Sequence, residues 1–373
     1  MRKSLLAVAA LMGASVLPAQ AISFKVSEDV QGNMGFKAQI WGQYLGERTS
    51  GNKSAIDFTL RNVRLYANGN VGKYMFFGAN LDYTPTSARA TDAFIGLKFA
   101  DELNVQAGLY RTPFSRASLT DSYTYLIPTG YFYESDKVIK GIDFNVAAPL
   151  QGPSTYRNAG LTVWGNIADA MVKYYIGVFD GPYNNSVDKK GKDNLMYAVR
   201  LQFTPTMLGF KGEKRYGLRD TYLGRQNVLS FGVGYATQKD NRQATSYTTK
   251  AWTVDAKHEQ KFGDFIANWE AAYFDVKDVN TSKDDRKGYY LQVGGIYDQV
   301  VGIGKPGLAL RYDYSEEKKQ LTGAKTKYKR FGGAVNYFLK GQDAMIQLAV
   351  DTVDRPTGQK DYTDVTLAFQ VQF

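Results

Sequence analysis

The chain reads as all-β: a transmembrane antiparallel β-barrel of about sixteen strands, with one long loop folded inward. Three observations predict it. Apolar and polar residues alternate with a period of two, most clearly at the C-terminus, where Val365, Leu367, Phe369, Val371 and Phe373 interleave with Thr366, Ala368, Gln370 and Gln372. The segments between such runs are alternately short and long, the asymmetry of an outer-membrane barrel. Beyond the first 21 residues no apolar run approaches the length of a membrane helix, which leaves the closed barrel as the other permitted way across a bilayer.

The first segment is an address. Arg2 and Lys3 precede an apolar stretch from Leu5 to Val16, followed by Ala19, Gln20 and Ala21, the pattern of an export signal cut after Ala21. Residues 1–21 are therefore set apart from the fold, and residues 22–373 form the barrel.

The strands follow in order. Val63, Leu65, Ala67 and Val71 alternate with Asn62, Arg64, Tyr66, Asn68 and Asn70. The same rhythm returns in Met75, Phe77, Ala79 and Leu81, in Leu195 to Phe203 and in Leu229 to Tyr235. Each run is roughly 10 residues, the length a tilted strand needs to cross a membrane. Short turns are expected near 70–73, 100–102, 167–170, 261–264 and 340–343. Long loops are expected near 47–55, 111–158, 181–193, 237–250, 275–287, 315–327 and 352–361. The connection 204–227 departs from this rule: it is long, basic and Gly-rich although parity places it on the short-turn side, so it is either a periplasmic excursion or a hidden strand.

Charge assigns the faces. A Lys or Arg on the lipid side costs about 2–4 kcal/mol at the midplane, so Lys37, Arg64, Lys98, Lys173, Arg200, Lys257, Arg311 and Arg330 are expected to point into a wet lumen. Opposite them stand Asp82, Asp92, Asp255, Glu259, Glu270 and Asp313, a wall of mixed sign. About sixteen strands enclose more space than wall side chains fill, so the longest loop, 111–158, is expected to set the constriction where it folds inward. Its basic residues are Arg111, Arg116, Lys137, Lys140 and Arg157, offset by Asp121, Glu134, Asp136 and Asp143.

Composition removes other classes. The chain has no Cys and one His, which excludes disulfide frameworks, thiol nucleophiles and multi-His metal centres. No cofactor, metal or catalytic residue is expected, and His258 has the parity of an interfacial residue. Lys plus Arg number 46 against 36 Asp plus Glu, for a net +10 that suits anionic surfaces or small anionic solutes. The basic residues are dispersed over strands and no recognition module is present, so nucleic acid is not expected as a partner.

With the strands placed, several stretches resemble the phosphate-selective porin O and P family of Gram-negative outer membranes. The most specific is E-L-N-V-Q-A-G-L-Y-R-T-P-F-S, from Glu102 to Ser115, which looks like the family's strand leading into an inward loop headed by a basic residue and Pro-Phe. R-N-A-G-L-T-V-W-G from Arg157, Y-I-G-V-F-D-G from Tyr175, D-T-Y-L-G from Asp220 and Y-F-L-K-G from Tyr337 resemble later strands in the same order. The closing F-Q-V-Q-F, ending at Phe373, is similar to the terminal strand offered to the barrel-assembly machinery. The resemblance implies a homotrimeric porin in outer-membrane lipid, with an anion-binding constriction for small anions such as phosphate. On that basis the candidate pore residues are Arg61, Arg64, Lys98, Arg111, Arg116, Lys137 and Lys140. Arg61 has lipid-face parity, which a bulge or the strand end would excuse.

An alternative stays open: a general or sugar-permeable porin without phosphate selectivity. Tyr66, Trp164, Tyr175 and Tyr290 have lumenal parity and would form a stacking track if they lined one groove. Trp41, Trp252 and Trp269 are assigned to the interface girdles.

Overall fold

The computed structural model describes residues 21–47, 53–84, 87–132, 157–181, 194–240, 246–279 and 282–373. The export segment before residue 21, and with it the expected cleavage signal, lies outside them.

The alternating runs form strands, and the strands close. A short β1 (Ile22–Lys25) is followed by β2 (Val30–Leu45), β3 (Ala55–Val71), β4 (Met75–Thr84), β5 (Ser87–Lys98) and β6 (Asn104–Arg111). Then come β7 (Arg157–Ile167), β8 (Val172–Phe179), β9 (Met196–Phe203), β10 (Val228–Asp240), β11 (Tyr247–Phe262) and β12 (Phe265–Lys277). The last are β13 (Asp285–Tyr297), β14 (Lys305–Lys318), β15 (Lys325–Phe338), β16 (Ala344–Asp354) and β17 (Tyr362–Gln372). From β2 to β17, each strand pairs antiparallel with the next, and β17 returns to β2 from Val365↔Tyr44 to Gln372↔Lys37, which makes a ring of sixteen. β1 occupies the stretch of the β2 edge that β17 leaves open, from Ile22↔Met34 to Lys25↔Gln31. At the seam, Phe36 and Phe373 exchange both backbone hydrogen bonds, at 2.8 and 2.9 Å, and their rings lie 5.7 Å apart. A closed ring has no unpaired edge within the hydrocarbon.

Burial is inverted relative to a water-soluble sandwich, because lipid is the outer solvent. On β9, Tyr197, Val199, Leu201 and Phe203 are exposed outward, while Met196, Ala198, Arg200 and Gln202 are buried inward. On β11 Trp252 and Val254 face out, and Thr253, Asp255, Lys257 and Glu259 face in. The inward-facing charged residues named from the sequence are buried at the lumenal wall, except Lys37, which is half-buried, and Lys98, which is exposed.

Two bulges adjust the parity of the wall. Gln39 pairs with Asn62 but Ile40 with Leu60, so Arg61 is the extra residue of β3. Asn80 pairs with Asp92 but Leu81 with Ala90, so Thr91 is the extra residue of β5. The first bulge places the Arg61 guanidinium 5.1 Å over the ring of Trp41, which is itself buried. Trp41 is thus a lumenal residue, in contrast to the girdle position expected for it. Trp252 is outward, packed on Tyr273 at 5.2 Å.

Connections on the side of the chain termini are tight turns, as at 72–74, 168–171 and 263–264. On the opposite side, the pairing of β4 with β5 runs as far as Thr84↔Ser87. The connection 204–227 hides no strand. After a single 3-10 turn (Thr206–Leu208) it runs as irregular chain into the barrel.

Candidate pore constriction

Two segments enter the lumen from opposite ends. The first follows β6: Pro113 and Phe114 turn the chain, then Ser115 caps a one-turn helix, α1 (Arg116–Leu119), its hydroxyl accepting from the Ser118 N–H while the Ser118 hydroxyl accepts from the Ser115 N–H. This segment lies close against β10. A Cβ on Gly234 would sit 1.9 Å from the Phe114 carbonyl oxygen, so only glycine admits the approach. Wall side chains then tie it down: Gln39 Nε2 to Ser122 O at 3.4 Å, Gln370 Nε2 to Tyr123 O at 2.9 Å and Gln347 Nε2 to Tyr125 O at 3.0 Å. Arg330 reaches Gly130 O at 2.8 Å, and Arg311 donates to the same carbonyl.

The second segment is the connection 204–227. Its backbone meets the first in a short bridge: Asp121 N–H donates to Leu218 O at 3.1 Å, and Leu218 N–H donates to Leu119 O at 3.0 Å. Lys173 donates to the Glu213 carbonyl at 2.7 Å and to that of Arg215, while the Tyr175 hydroxyl donates to Tyr216 O at 2.7 Å. Tyr222 and Gly224 N–H groups donate to the Glu259 carboxylate at 2.9–3.1 Å.

Where the segments meet, charge is closed in on itself. Arg116, fully buried, gives both terminal nitrogens to Glu213 at 2.8 Å, its Nε to Glu270 at 3.0 Å and its backbone N–H to Asp255 at 3.0 Å. Arg200 also grips Asp255, at 2.6 and 2.8 Å. Asp220 accepts from Leu126 N–H and Gln292, both at 2.7 Å, with Lys257 3.7 Å away. Burial by itself would raise the Glu213 carboxyl, but Arg116, with help from the Tyr222 hydroxyl and Lys173, holds it down at about 2.

A different arrangement lines the β2–β7 side. Lys37, Arg64 and Asp82 are register neighbours across β2, β3 and β4. Arg64 is paired with Asp82 at 2.8 Å, and Arg157 with Asp92 at 2.8 and 2.9 Å. Asp121, from the inward segment, sits among the cations: Lys37 Nζ is 3.1 Å from its carboxylate and Arg111 is 3.8 Å away. Lys37 and Arg64 both lie over the Tyr123 ring, at 4.9 and 5.6 Å. Burial opposes ionisation of Asp121, yet Lys37, Arg111 and Arg64 keep its carboxyl well below the usual range. Side chains here retain exposure, 18% for Lys37, 13% for Arg111 and 32% for Asp121, whereas Arg116 has none.

The candidate residues thus separate. Arg61, Arg64 and Arg111 share the β2–β7 side with Lys37 and Arg157. Arg111 also donates to Ser118 O and Thr120 O at 3.2 and 2.7 Å, which fixes the base of the inward segment. Arg116 is enclosed by carboxylates. Lys98, paired with Asp101 at 2.6 Å, belongs instead to a cavity of about 680 Å³ at the short-turn end, bounded by β3–β7 and by Lys214, Arg215 and Tyr216. Lys137 and Lys140 lie outside the described residues.

The lumenal aromatics do not line one groove. Trp164 and Tyr175 stack at 6.3 Å and close on Tyr216, while Tyr290 stacks on Tyr131 at 4.4 Å. Tyr66 instead donates its hydroxyl to the Phe373 carbonyl at 3.1 Å. Sequence reasoning missed Glu213 and Asp220 as organising residues. The available signal was two carboxylates in a basic, Gly-rich connection, since a buried acid requires a partner.

The family model described as phosphate-selective porin O and P matches residues 33–373. An uncharacterized protein of Aquifex aeolicus (strain VF5) is 26% identical over 340 residues, covering 87% of this chain and 75% of its own. Among solved structures, the anion-selective porin from Comamonas acidovorans superposes with a TM-score of 0.61 at 13% identity, covering 92% of this chain and 100% of that one. The outer-membrane channel DcaP of Acinetobacter baumannii gives 0.61 at 14% identity, with 94% and 99% covered. OmpT of Vibrio cholerae gives 0.57 at 11%, with 94% and 100% covered. At these identities the structural likenesses establish the fold, and the family match establishes kinship: the chain belongs to the phosphate-selective porin O and P family and is an outer-membrane β-barrel porin, a channel by family and by fold.

Proposed function

We propose that this porin passes small anions, phosphate and other oxyanions among them, through a constriction where Lys37, Arg64 and Arg111 converge. The observation that carries this is Asp121. Its carboxylate, itself an oxyanion, sits 3.1 Å from Lys37 and 3.8 Å from Arg111, on a spot that keeps contact with solvent. A passing anion competes with Asp121 for the same cations. Unit charges 4 Å apart attract by about 1 kcal/mol in water and about 4 kcal/mol at an effective dielectric of 20. Lys37 and Arg111 therefore attract an oxyanion by a few kcal/mol, Arg64 adds less because Asp82 neutralises it, and the resident carboxylate keeps the well shallow enough for release, as conduction requires. Charges farther than a Debye length of about 8 Å contribute little, so the net charge of the chain is secondary to this cluster.

Arg116, Glu213 and Glu270 have a positioning role: they lock the two inward segments together and so hold Asp121 and Tyr123 in place. Diffusion through such a channel uses no catalytic residue, cofactor or metal. The proposed biology includes removal of residues 1–21 on export, assembly as a homotrimer, and delivery through the terminal strand ending at Phe373. The solved OmpT of Vibrio cholerae includes a form described as a trimer, which supports the second point by analogy.

The deciding measurement is the reversal potential of the purified protein in a planar bilayer under a KCl gradient, followed by phosphate titration into the chloride current. Anion preference with block at low phosphate is expected. Weak or cation preference without block would reduce the function to general diffusion.

A further inference from the structure

The outer surface holds a second concentration of charge, unrelated to the pore. Along β13, β14 and β15 the outward positions stack in register rows about 7 Å apart, two residues per step. The lowest of these rows is Leu291, Tyr312 and Phe331; above it come Tyr289, Tyr314 and Lys329. The next row is Lys287, Glu316 and Lys327, and the topmost is Asp285, Lys318 and Lys325. Polarity thus rises with height, from apolar through aromatic to charged, on the side of the barrel that faces lipid. Tyr289 and Tyr314 stack at 5.1 Å, as expected of a girdle at the boundary between hydrocarbon and headgroups.

Immediately above that girdle, one buried carboxylate is shared by three ammonium groups. Glu316 lies 3.6 Å from Lys287, 3.7 Å from Lys325 and 3.9 Å from Lys327, and it accepts from the Tyr314 hydroxyl at 2.9 Å. The three lysine side chains remain about half exposed, at 46%, 48% and 53%. The cluster therefore carries more positive charge than Glu316 neutralises, and the exposed heads point outward. On β2–β4 the exposed outward residues include Tyr44, Ile56, Phe58 and Tyr83, which are aromatic or apolar. Among the described residues, other exposed lysines stand at this end of the barrel, such as Lys250 on β11 and Lys277 on β12, but the three around Glu316 form a cluster on one carboxylate.

We propose that the outward face of β13–β15, at the extracellular rim, is a lipid site that binds the phosphate groups of an anionic glycolipid in the outer leaflet. Lys287, Lys325 and Lys327 hold the phosphate, and the Tyr289–Tyr314 pair packs against the start of its acyl chains. Lipid is the occupant because the lysines have lipid-face parity and sit one row above the girdle, where headgroups lie. The long lysine stems reach up from the apolar surface with their charges in the polar layer. Free phosphate in the lumen has no path to this face.

The test uses the full barrel in detergent micelles, titrated with a purified bis-phosphorylated lipid A and read by native mass spectrometry. In the triple variant Lys287→Gln, Lys325→Gln, Lys327→Gln the apparent Kd is expected to rise tenfold or more. The control Lys25→Gln, Lys73→Gln, Lys340→Gln, at the opposite end, is expected to change it less than twofold. Enzymatically dephosphorylated lipid A should bind the wild-type barrel no better than the phosphorylated form binds the triple variant. Unchanged binding in the rim variant, equal binding of the dephosphorylated lipid, or displacement by equimolar inorganic phosphate would each overturn the proposal. Should the triple variant fail to fold, the single variant Lys327→Gln is expected to weaken binding about threefold, and no loss there would overturn it. The reversal potential of the rim variants stays at the wild-type value, so this result is separable from pore selectivity.

Discussion

Arg116 and Glu213 meet in a bidentate pair with both contacts at 2.8 Å, although their segments enter the lumen from opposite ends of the barrel. The pair joins the loop after β6 to the connection after β9. It couples the shape of the channel to a buried ion network in which Glu270, Asp255 and Arg200 also take part. Removing one partner of such a buried pair costs roughly 3–5 kcal/mol, because the other charge is left without compensation.

Asp121 competes with the solute for Lys37 and Arg111. Asp121→Asn removes that charge while keeping the side chain's size, and a gain of about 1 kcal/mol for an incoming anion corresponds to about fivefold. The phosphate concentration that halves the chloride current is expected to fall by about that factor. A rise would contradict the proposed anion site.

Arg111 and Arg116 should separate by readout. Arg111→Glu places a carboxylate on the exposed side of the constriction, so the reversal potential shifts toward cation preference with the barrel intact. Arg116→Glu sets a third carboxylate beside Glu213 and Glu270, and it lowers both anion preference and the temperature at which the folded band is lost on heat-modifiability gels. Lys250→Glu, exposed on the outward side of β11, is expected to leave both unchanged. Equal selectivity effects at Lys250 and Arg111 would refute the assignment.

Acid is expected to loosen the junction. The Glu213 carboxyl has an ordinary value of 4.5 and is held near 2 in the folded barrel, and Asp121 is shifted in the same direction. A depressed folded value means that their stabilisation is fully present above the unfolded value and is lost as pH falls through the folded one. Between about pH 4.5 and 2 the inward segments should therefore release. Single-channel conductance is predicted to be steady from pH 7 to 5 and to become noisier and larger below 4. In Glu213→Gln the contribution of this residue should be absent already at pH 7.

The close approach at Gly234 provides a steric test. Gly234→Val places a side chain where Phe114 O now sits 1.9 Å from the virtual Cβ, so the segment that carries Asp121 is pushed off β10. The barrel should still form, because the strand pairing of β10 is untouched, but anion preference should fall and conductance rise. Wild-type selectivity in this variant would indicate that the inward segment does not form the constriction.

Alternation of apolar and polar residues carried the barrel, its strand positions and the inward direction of Arg64, Lys257 and Arg311. In a barrel wall each residue's face follows from its parity along the chain, and a misplaced charge costs several kcal/mol, so these facts are local and legible. The resemblance in E-L-N-V-Q-A-G-L-Y-R-T-P-F-S likewise points to the family from the sequence alone. Parity failed where the register itself changes. Arg61 faces inward because a bulge inserts one residue into β3, a choice made by neighbouring strands rather than by the local pattern, whereas Trp41 faces inward by the ordinary parity it shares with Gln39 and Gln43. The roles of Arg111 and Arg116, five residues apart, diverged for a related reason. One stays beside solvent and the other is enclosed by Glu213, Glu270 and Asp255, which lie about 100 to 150 residues away in sequence. Only the closed ring brings those carboxylates to one point, since the pairing of two inward segments depends on the lumen they share and leaves no period in the chain.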